Sequence, residues 1–300
     1  MPINDITEKD DDGSIRVVQQ GIRSRTSNQG FAYNRFDFII TNPPFGSNIK
    51  QTEQAYMRQY DYALSEIDWL NPNRKETARP NQKTEILFIE QCHNYLTEGG
   101  YLAIVVPDGI LTNSSLQYVR DEIEENYRIV AVVSLPQTAF QATGAGVKSS
   151  VLFLKKYTAK MTEKIKDQKL GLQDTLKDET EFNEQIQQIN QEKAKQLKEL
   201  IGFDNPDNLK GKSLKGSESY QEWRKTINAQ AKEKADQLKE NLFEQYIVQK
   251  QNTLEDYPIF MAIAEDIGYD ATGKKTAVNE LDFISEELAR FIDAIEKGEV

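Results

Sequence analysis

Three hundred residues are enough for one large or two medium domains, and 38% hydrophobic with 9% aromatic content suits a globular chain carrying some polar helix. A net charge of −11 argues against a stand-alone nucleic-acid binder, so any work on nucleic acid needs a partner or a local basic patch. One cysteine, Cys92, excludes an internal disulfide framework and fits a reducing cytoplasm; the acidic start MPINDITEKDDDGS is no signal peptide, and no apolar run approaches a membrane span.

Residues 1–34 read as a polar lead-in with one short strand at IRVV, 15–18. FDFII, 36–40, is a compact run of β-prone residues, expected as a buried parallel strand. Residues 46–83 are expected as a long polar loop bearing Tyr56, Tyr60, Tyr62 and Trp69. TEILFIEQCHNYL, 84–96, sets Ile86, Phe88, Ile89, Cys92, Tyr95 and Leu96 on one side at helical spacing, with Thr84 as N-cap and Gly99-Gly100 as the stop. YLAIVV (101–106) is a second strand closed by Pro107, 115–126 a helix, IVAVVSL (129–135) a third strand and VLFLKKY (151–157) a fourth. The last follows a loop with no room for a helix, so it is expected to return antiparallel and give the sheet a mixed edge. Strand, helix, strand, helix, strand is the order of a doubly wound α/β sheet.

Residues 158–255 turn rich in Lys, Glu, Gln and Asp. A stripe at Phe182, Ile186, Ile189, Leu197, Leu200 and Ile201 and another at Trp223, Ile227, Ala231, Leu238, Leu242 and Tyr246 predict two long helices folded back as a hairpin. The Gly-, Asn- and Pro-containing stretch GFDNPDNLKGKSLKGSES separates them. Two further helical segments are expected in 256–300, FMAIAEDIGYDATGKK and NELDFISEELARFIDAIE.

The chemistry concentrates at Asn42-Pro43-Pro44-Phe45, where the first strand must leave the sheet because neither proline has an N–H to donate. Carboxyl ends of strands are where open α/β sheets bind ligands. A planar exocyclic amine is a poor nucleophile, since its lone pair is delocalised into the ring. Two acceptors against its two N–H groups favour a tetrahedral, more nucleophilic nitrogen. The Asn42 side-chain oxygen and the Pro43 carbonyl suit that task, stiffened by Pro44, and Phe45 is placed to stack on the ring bearing the amine. The bland alternative is a strand-ending turn with Gly46 allowing tight geometry. Gly144 and Gly146 precede no helical pattern, so they read as a tight loop and not a phosphate cradle. His93 has no neighbouring ligand set, and Asp108 reads as a cap for the next segment ahead of the alternative that it faces the cleft.

From residue 36 to about 157 the chain resembles the amino-methyltransferases, and most closely the modification subunits of type I restriction-modification systems. FDFIITNPPFG, TEILFIEQCHNYLTEGGYLAIVVPDGIL and LPQTAFQATGAGVKSSVLFLKK carry the resemblance, and the tail from FMAIAEDIGYDATGKK to NELDFISEEL adds to it. The resemblance implies methyl transfer from S-adenosylmethionine to adenine N6 in DNA. Asn42 and Pro43 would accept the N6 hydrogens of a base flipped out of the duplex, Phe45 would stack on it, and Phe140 would pack against its other side. For Phe140 a core or loop-anchoring role is the equal alternative. Glutamine and RNA-base methyltransferases use similar corners, and a docking remnant of the family is a third reading.

The family also leads one to expect a strand running into a Gly-rich turn that holds the cofactor. The 41 residues before Asn42 hold only Gly13, Gly21 and Gly30, scattered through polar sequence. The expected fold is therefore the second half of a doubly wound, Rossmann-like methyltransferase sheet with a mixed edge, followed by a long helical hairpin and C-terminal helices. Its divisions are a lead-in at 1–34, a catalytic half at 35–157, the charged hairpin at 158–255 and a C-terminal helical unit at 256–300. Such a chain is expected to be inactive alone, cytoplasmic and free of membrane, and to self-associate through an open sheet edge. DNA, a specificity subunit and a restriction subunit are the expected partners, the first of these subunits docking on the helical hairpin and the C-terminal helices, with a solvated helix face as the equal alternative for the charged hairpin.

Overall fold

A computed structural model describes residues 6–9, 15–19, 33–50, 57, 60–64, 69–70, 79–144, 146–205, 208–253 and 255–300. Two compact units emerge: residues 1–164 together with 257–300, and residues 165–256. No helix among the described residues is long and apolar enough to cross a membrane.

In the first unit, β1 (Ile6–Lys9) and β2 (Ile15–Gln19) pair antiparallel, which supplies the strand expected at IRVV and a partner for it. FDFIIT forms β3 (Phe36–Thr41). The segment expected as a loop is closed at its two ends, where β4 (Asn48–Lys50) and β5 (Asn81–Lys83) pair antiparallel. Between them, Tyr60, Tyr62 and Ala63 are buried, because they pack against the helix that follows. Trp69 is half-buried, and Tyr56 lies outside the described residues.

That helix, α1 (Thr84–Tyr95), leads directly into β6 (Leu96–Pro107), which runs parallel to β3. The short α2 (Asp108–Thr112) and α3 (Gln117–Asn126) precede β7 (Tyr127–Ser134), and β8 (Ser149–Lys156) returns antiparallel to both β6 and β7. Ile86, Ile89, Leu102, Ile104, Val119, Ile123, Leu152 and Leu154 form one apolar cluster between the sheet and these helices. Each such aliphatic side chain contributes about 1.5–3 kcal/mol by leaving water.

The second unit is helical. After α4 (Ala159–Glu179), which begins before it, come α5 (Phe182–Glu199), α6 (Gly211–Gly216) and α7 (Glu218–Thr253). The two predicted stripes do meet, since α5 packs on α7 with Ile189 near Ile227 and Ala231. The hairpin has a further long helix, however, because the chain breaks at Glu181, whose φ is +49°, and so separates α4 from α5. Phe203, Tyr220 and Trp223 form an aromatic cluster where the unit turns.

Back in the first unit, β9 (Phe260–Ile263) pairs parallel with β7, β10 (Ile267–Tyr269) and β11 (Lys275–Asn279) form a hairpin, and α8 (Glu280–Lys297) ends the chain's regular structure. The described sheet has the order β3-β6-β8-β7-β9.

Four expectations are corrected by this arrangement. FMAIAEDIGYDATGKK is a strand and a hairpin rather than a helix, because the backbone of β7 offers FMAI a free edge. The Asp270 carboxylate meanwhile accepts from the Thr272 and Lys274 amides to make the tight turn. The antiparallel strand β8 lies inside the sheet, between β6 and β7, so the mixture is internal rather than at an edge. Gly99 and Gly100 do not stop α1, which ends at Tyr95. They form an irregularity in β6, where Gly99 has φ +78° and a Cβ on Gly100 would crowd the Asp37 carbonyl at 3.1 Å. β3 is parallel as expected but not buried. Among the described residues it is paired on one side only, leaving Phe38 51% and Ile40 77% exposed.

Candidate active site

β3 delivers Thr41 to the carboxyl end of the sheet, and the chain leaves it as Asn42-Pro43-Pro44-Phe45. Asn42 and Pro44 are exposed, Pro43 is buried and Phe45 is half-buried. The corner is tied from the start of α1. Thr84 does not act as the expected N-cap: it is the first helical residue, and its Oγ1 donates to the Pro44 carbonyl at 3.0 Å and the Ser47 carbonyl at 3.3 Å. The Thr84 amide also donates to the Ser47 carbonyl at 3.0 Å. Next to it, the buried Glu85 carboxylate accepts from the Gly46 amide at 3.3 Å, and Gly46 holds φ +77°, a conformation that suits glycine. A carboxylate in the first turn of a helix is favoured by the positive end of the backbone dipole, so Glu85 is well placed to serve as an anchor.

Phe140 comes to the same place from nearly a hundred residues away. It follows a turn in which the Ala139 amide donates to the Pro136 carbonyl, and it packs beside the cluster of Val133, Leu135 and Ala139. The Tyr269 hydroxyl holds the Ala139 carbonyl at 3.2 Å, so the β10–β11 hairpin supports this loop. Phe45 and Phe140 meet edge to face, with ring centroids 6.3 Å apart and planes at 89°. Asn42, Pro43, Pro44, Phe45 and Phe140 thus lie in one neighbourhood, with two acceptors and two aromatic rings.

The other singled-out residues sit elsewhere in function. Asp108 begins α2 without capping it; its carboxylate accepts from Ser150 Oγ at 2.8 Å and so joins α2 to β8. Gly144 has φ +86° at the end of a tight turn. His93 lies edge-on to the Tyr127 ring at 5.1 Å. Among the described residues no group of three His, Cys, Asp or Glu side chains could hold a metal ion. Burial pushes the Cys92 thiol up to about 12, which makes it inert. The roles of Thr84 and Glu85 as anchors were not legible in the sequence, since they depend on a β4–β5 pairing across more than thirty residues.

A mixed sheet that ends in a proline-stiffened amide corner, with two aromatic rings beside it, defines an α/β protein. The chain belongs to the N-6 DNA Methylase family, whose model matches residues 3–253. It is 22% identical over 169 residues to the Defense against restriction protein B of Escherichia phage P1, covering 54% of this chain and 6% of that protein. A Listeria monocytogenes protein described as a class I S-adenosylmethionine-dependent methyltransferase is 26% identical, with a TM-score of 0.33 over 43% of this chain and 35% of that one. A modification subunit of a type I restriction enzyme from Vibrio vulnificus is 24% identical, with a TM-score of 0.31 over 41% of this chain and 23% of that one. The chain therefore spans well under half the length of each of these relatives. None of the described residues before Asn42 is a glycine, and Gly13, Gly21 and Gly30 lie outside them.

Proposed function

We propose that this chain carries the amine-gripping corner of a DNA adenine-N6 methyltransferase, the modification subunit of a type I restriction-modification system, with S-adenosylmethionine as methyl donor. The observation that carries the proposal is the meeting of the Asn42–Phe45 corner with Phe140 in a chain of the N-6 DNA Methylase family. Asn42 Oδ1 and the Pro43 carbonyl accept the two N6 hydrogens of a flipped adenine, and Pro44 fixes their spacing. Phe45 stacks on one face of the base. A base entering here parts the edge-to-face contact, and the Phe140 ring then closes on the other face. Once methylated, the cationic nitrogen sheds its proton to water, so the corner needs no tuned general base.

Under this reading the chain on its own is inactive. The net charge of −11 fits a division of labour in which a specificity subunit reads the DNA and docks on the helical unit 165–256. The pairing of β3 on one side only among the described residues, with Phe38 and Ile40 exposed, supports self-association through that edge. A single buried free cysteine suits the cytoplasm.

The test is incubation with tritium-labelled S-adenosylmethionine and DNA, RNA or protein, with calorimetric titration of the same cofactor alongside. Label recovered in DNA as N6-methyladenine after the rest of the enzyme is supplied in trans, and not from the chain alone, supports the proposal. Label confined to RNA or to glutamine side chains of protein contradicts it.

A further inference from the structure

A protein with 48 acidic residues to 37 basic ones has a problem at a nucleic-acid site, because the corner must sit against phosphates that the chain as a whole repels. One cavity next to the corner differs in charge from the rest. It has a volume of about 300 Å³ and is lined by Asn48, Arg79, Asn81, Lys83, Ser115 and Tyr118 among others. None of its lining side chains among the described residues is a carboxylate, while two are cations and five are neutral hydrogen-bonding groups.

The cavity is also prepared. Arg79 is held at three points: its amide donates to the Ala63 carbonyl at 2.8 Å, its Nε to the Leu64 carbonyl at 3.0 Å, and its guanidinium lies 3.6 Å from the centre of the Tyr118 ring. Tyr118 is fixed in turn, since its hydroxyl accepts from the buried Gln82 amide at 2.8 Å. An arginine immobilised in this way loses little freedom when an anion arrives, and its planar fork suits phosphate oxygens. Lys83 is exposed and immediately precedes Thr84, whose hydroxyl ties the Pro44 carbonyl. Asn48 follows the corner by three residues. Cavity and corner are therefore the two ends of one short, hydrogen-bonded structure.

We infer that this cavity is a phosphodiester subsite, in which Arg79 and Lys83 hold the sugar-phosphate backbone beside the base presented to Asn42. The inference rests on the proposed nucleic-acid reading and adds to it the local basic patch that an acidic chain needs. Contacts of this kind position the strand without reading its sequence.

The experiment measures binding of the whole chain to a fluorescent single-stranded oligonucleotide across a salt series. The probe carries either one adenine or one purine base without the 6-amine. Each phosphate contact adds about 0.7 to the slope of log affinity against log salt for a single strand. The variant Arg79→Gln with Lys83→Gln is expected to lower that slope by about 1.4 for both probes alike. Lys83→Gln alone, an exposed position, is expected to lower it by about 0.7 with an unchanged thermal melt, which separates a lost contact from a lost fold. Asn42→Ala is expected to keep the slope and lose only the preference for adenine, so failure of the corner and failure of the subsite give different results. A slope unchanged by both basic variants, or no binding by the unaltered chain at low salt, overturns the inference.

Discussion

Lys156 closes β8 with its ammonium turned inward, 8% exposed, and donates at 2.8 Å to Asn34 Oδ1 and to the carbonyls of His93 and Leu96. The two carbonyls belong to the end of α1 and the residue after it, so one cation satisfies acceptors that the helix leaves open and binds the helix to the sheet. Burial pushes the pKa of this lysine down. Replacing it by Met keeps the length of the stem and removes every donor. Each acceptor left buried and unpaired costs about 1–3 kcal/mol, and of the three the two carbonyls are counted, since Asn34 is exposed. Part of that is returned because a cation no longer has to be dehydrated. The net expectation is a loss of about 2–3 kcal/mol from the first unit. Urea unfolding followed by circular dichroism reads it. With a slope of about 1–3 kcal/mol per molar, the midpoint of the affected transition falls by roughly 1 M or more. An unchanged midpoint for Lys156→Met would refute the reasoning, because the three hydrogen bonds would then contribute nothing to the attachment of α1.

Further expectations follow from other parts of the first unit. Glu90 accepts from the Asp61 amide at 3.1 Å and the Tyr62 amide at 3.0 Å, yet burial outweighs both and pushes its pKa from 4.5 up to about 7. The folded protein then holds a proton that the unfolded chain has released, so stability falls as pH rises from about 4.5 towards 7. Thermal melts across that range should show the fall in the unaltered chain and a flatter profile in Glu90→Gln. Ile40→Lys places a charge on the open edge of β3 and should shift the chain towards monomer in size-exclusion chromatography over a range of concentrations. An oligomer that survives the change would remove this edge from the contact. Thr84→Val keeps the shape of the residue but releases the Pro44 and Ser47 carbonyls from its hydroxyl. Stability should change by about 1 kcal/mol or less, since the site is exposed. The corner's preference for adenine over purine should weaken several-fold in a binding titration.

The local code of the corner was plain in the sequence. A run of β-prone residues ending in two prolines can only be a strand that stops, and Asn42 and Phe45 stand where such a stop presents them. The helical face of α1 was legible in the spacing of adjacent residues, and the antiparallel return of β8 in a preceding loop with no room for a helix. What escaped was everything decided by partners distant in the chain. FMAI has no marked preference of its own and became a strand because β7 was there to pair with it. Phe38 and Ile40 look like core residues and are exposed because β3 has only one described neighbour. Lys156 and Glu90 look like surface charges and are buried because carbonyls and amides from other elements meet them. Thr84 reads as a cap until the β4–β5 pairing brings the corner within reach of its hydroxyl.

The central claim is that Asn42 and Pro43 grip a primary amine on a base stacked against Phe45. It is tested most directly by titrating the chain with two oligonucleotides that differ only in whether one base is adenine or purine lacking the 6-amine. The account predicts tighter binding of the adenine probe, a difference that Asn42→Ala abolishes while Phe45→Ala weakens both probes. Equal affinity of the unaltered chain for the two would contradict it and leave the corner as a strand-ending turn.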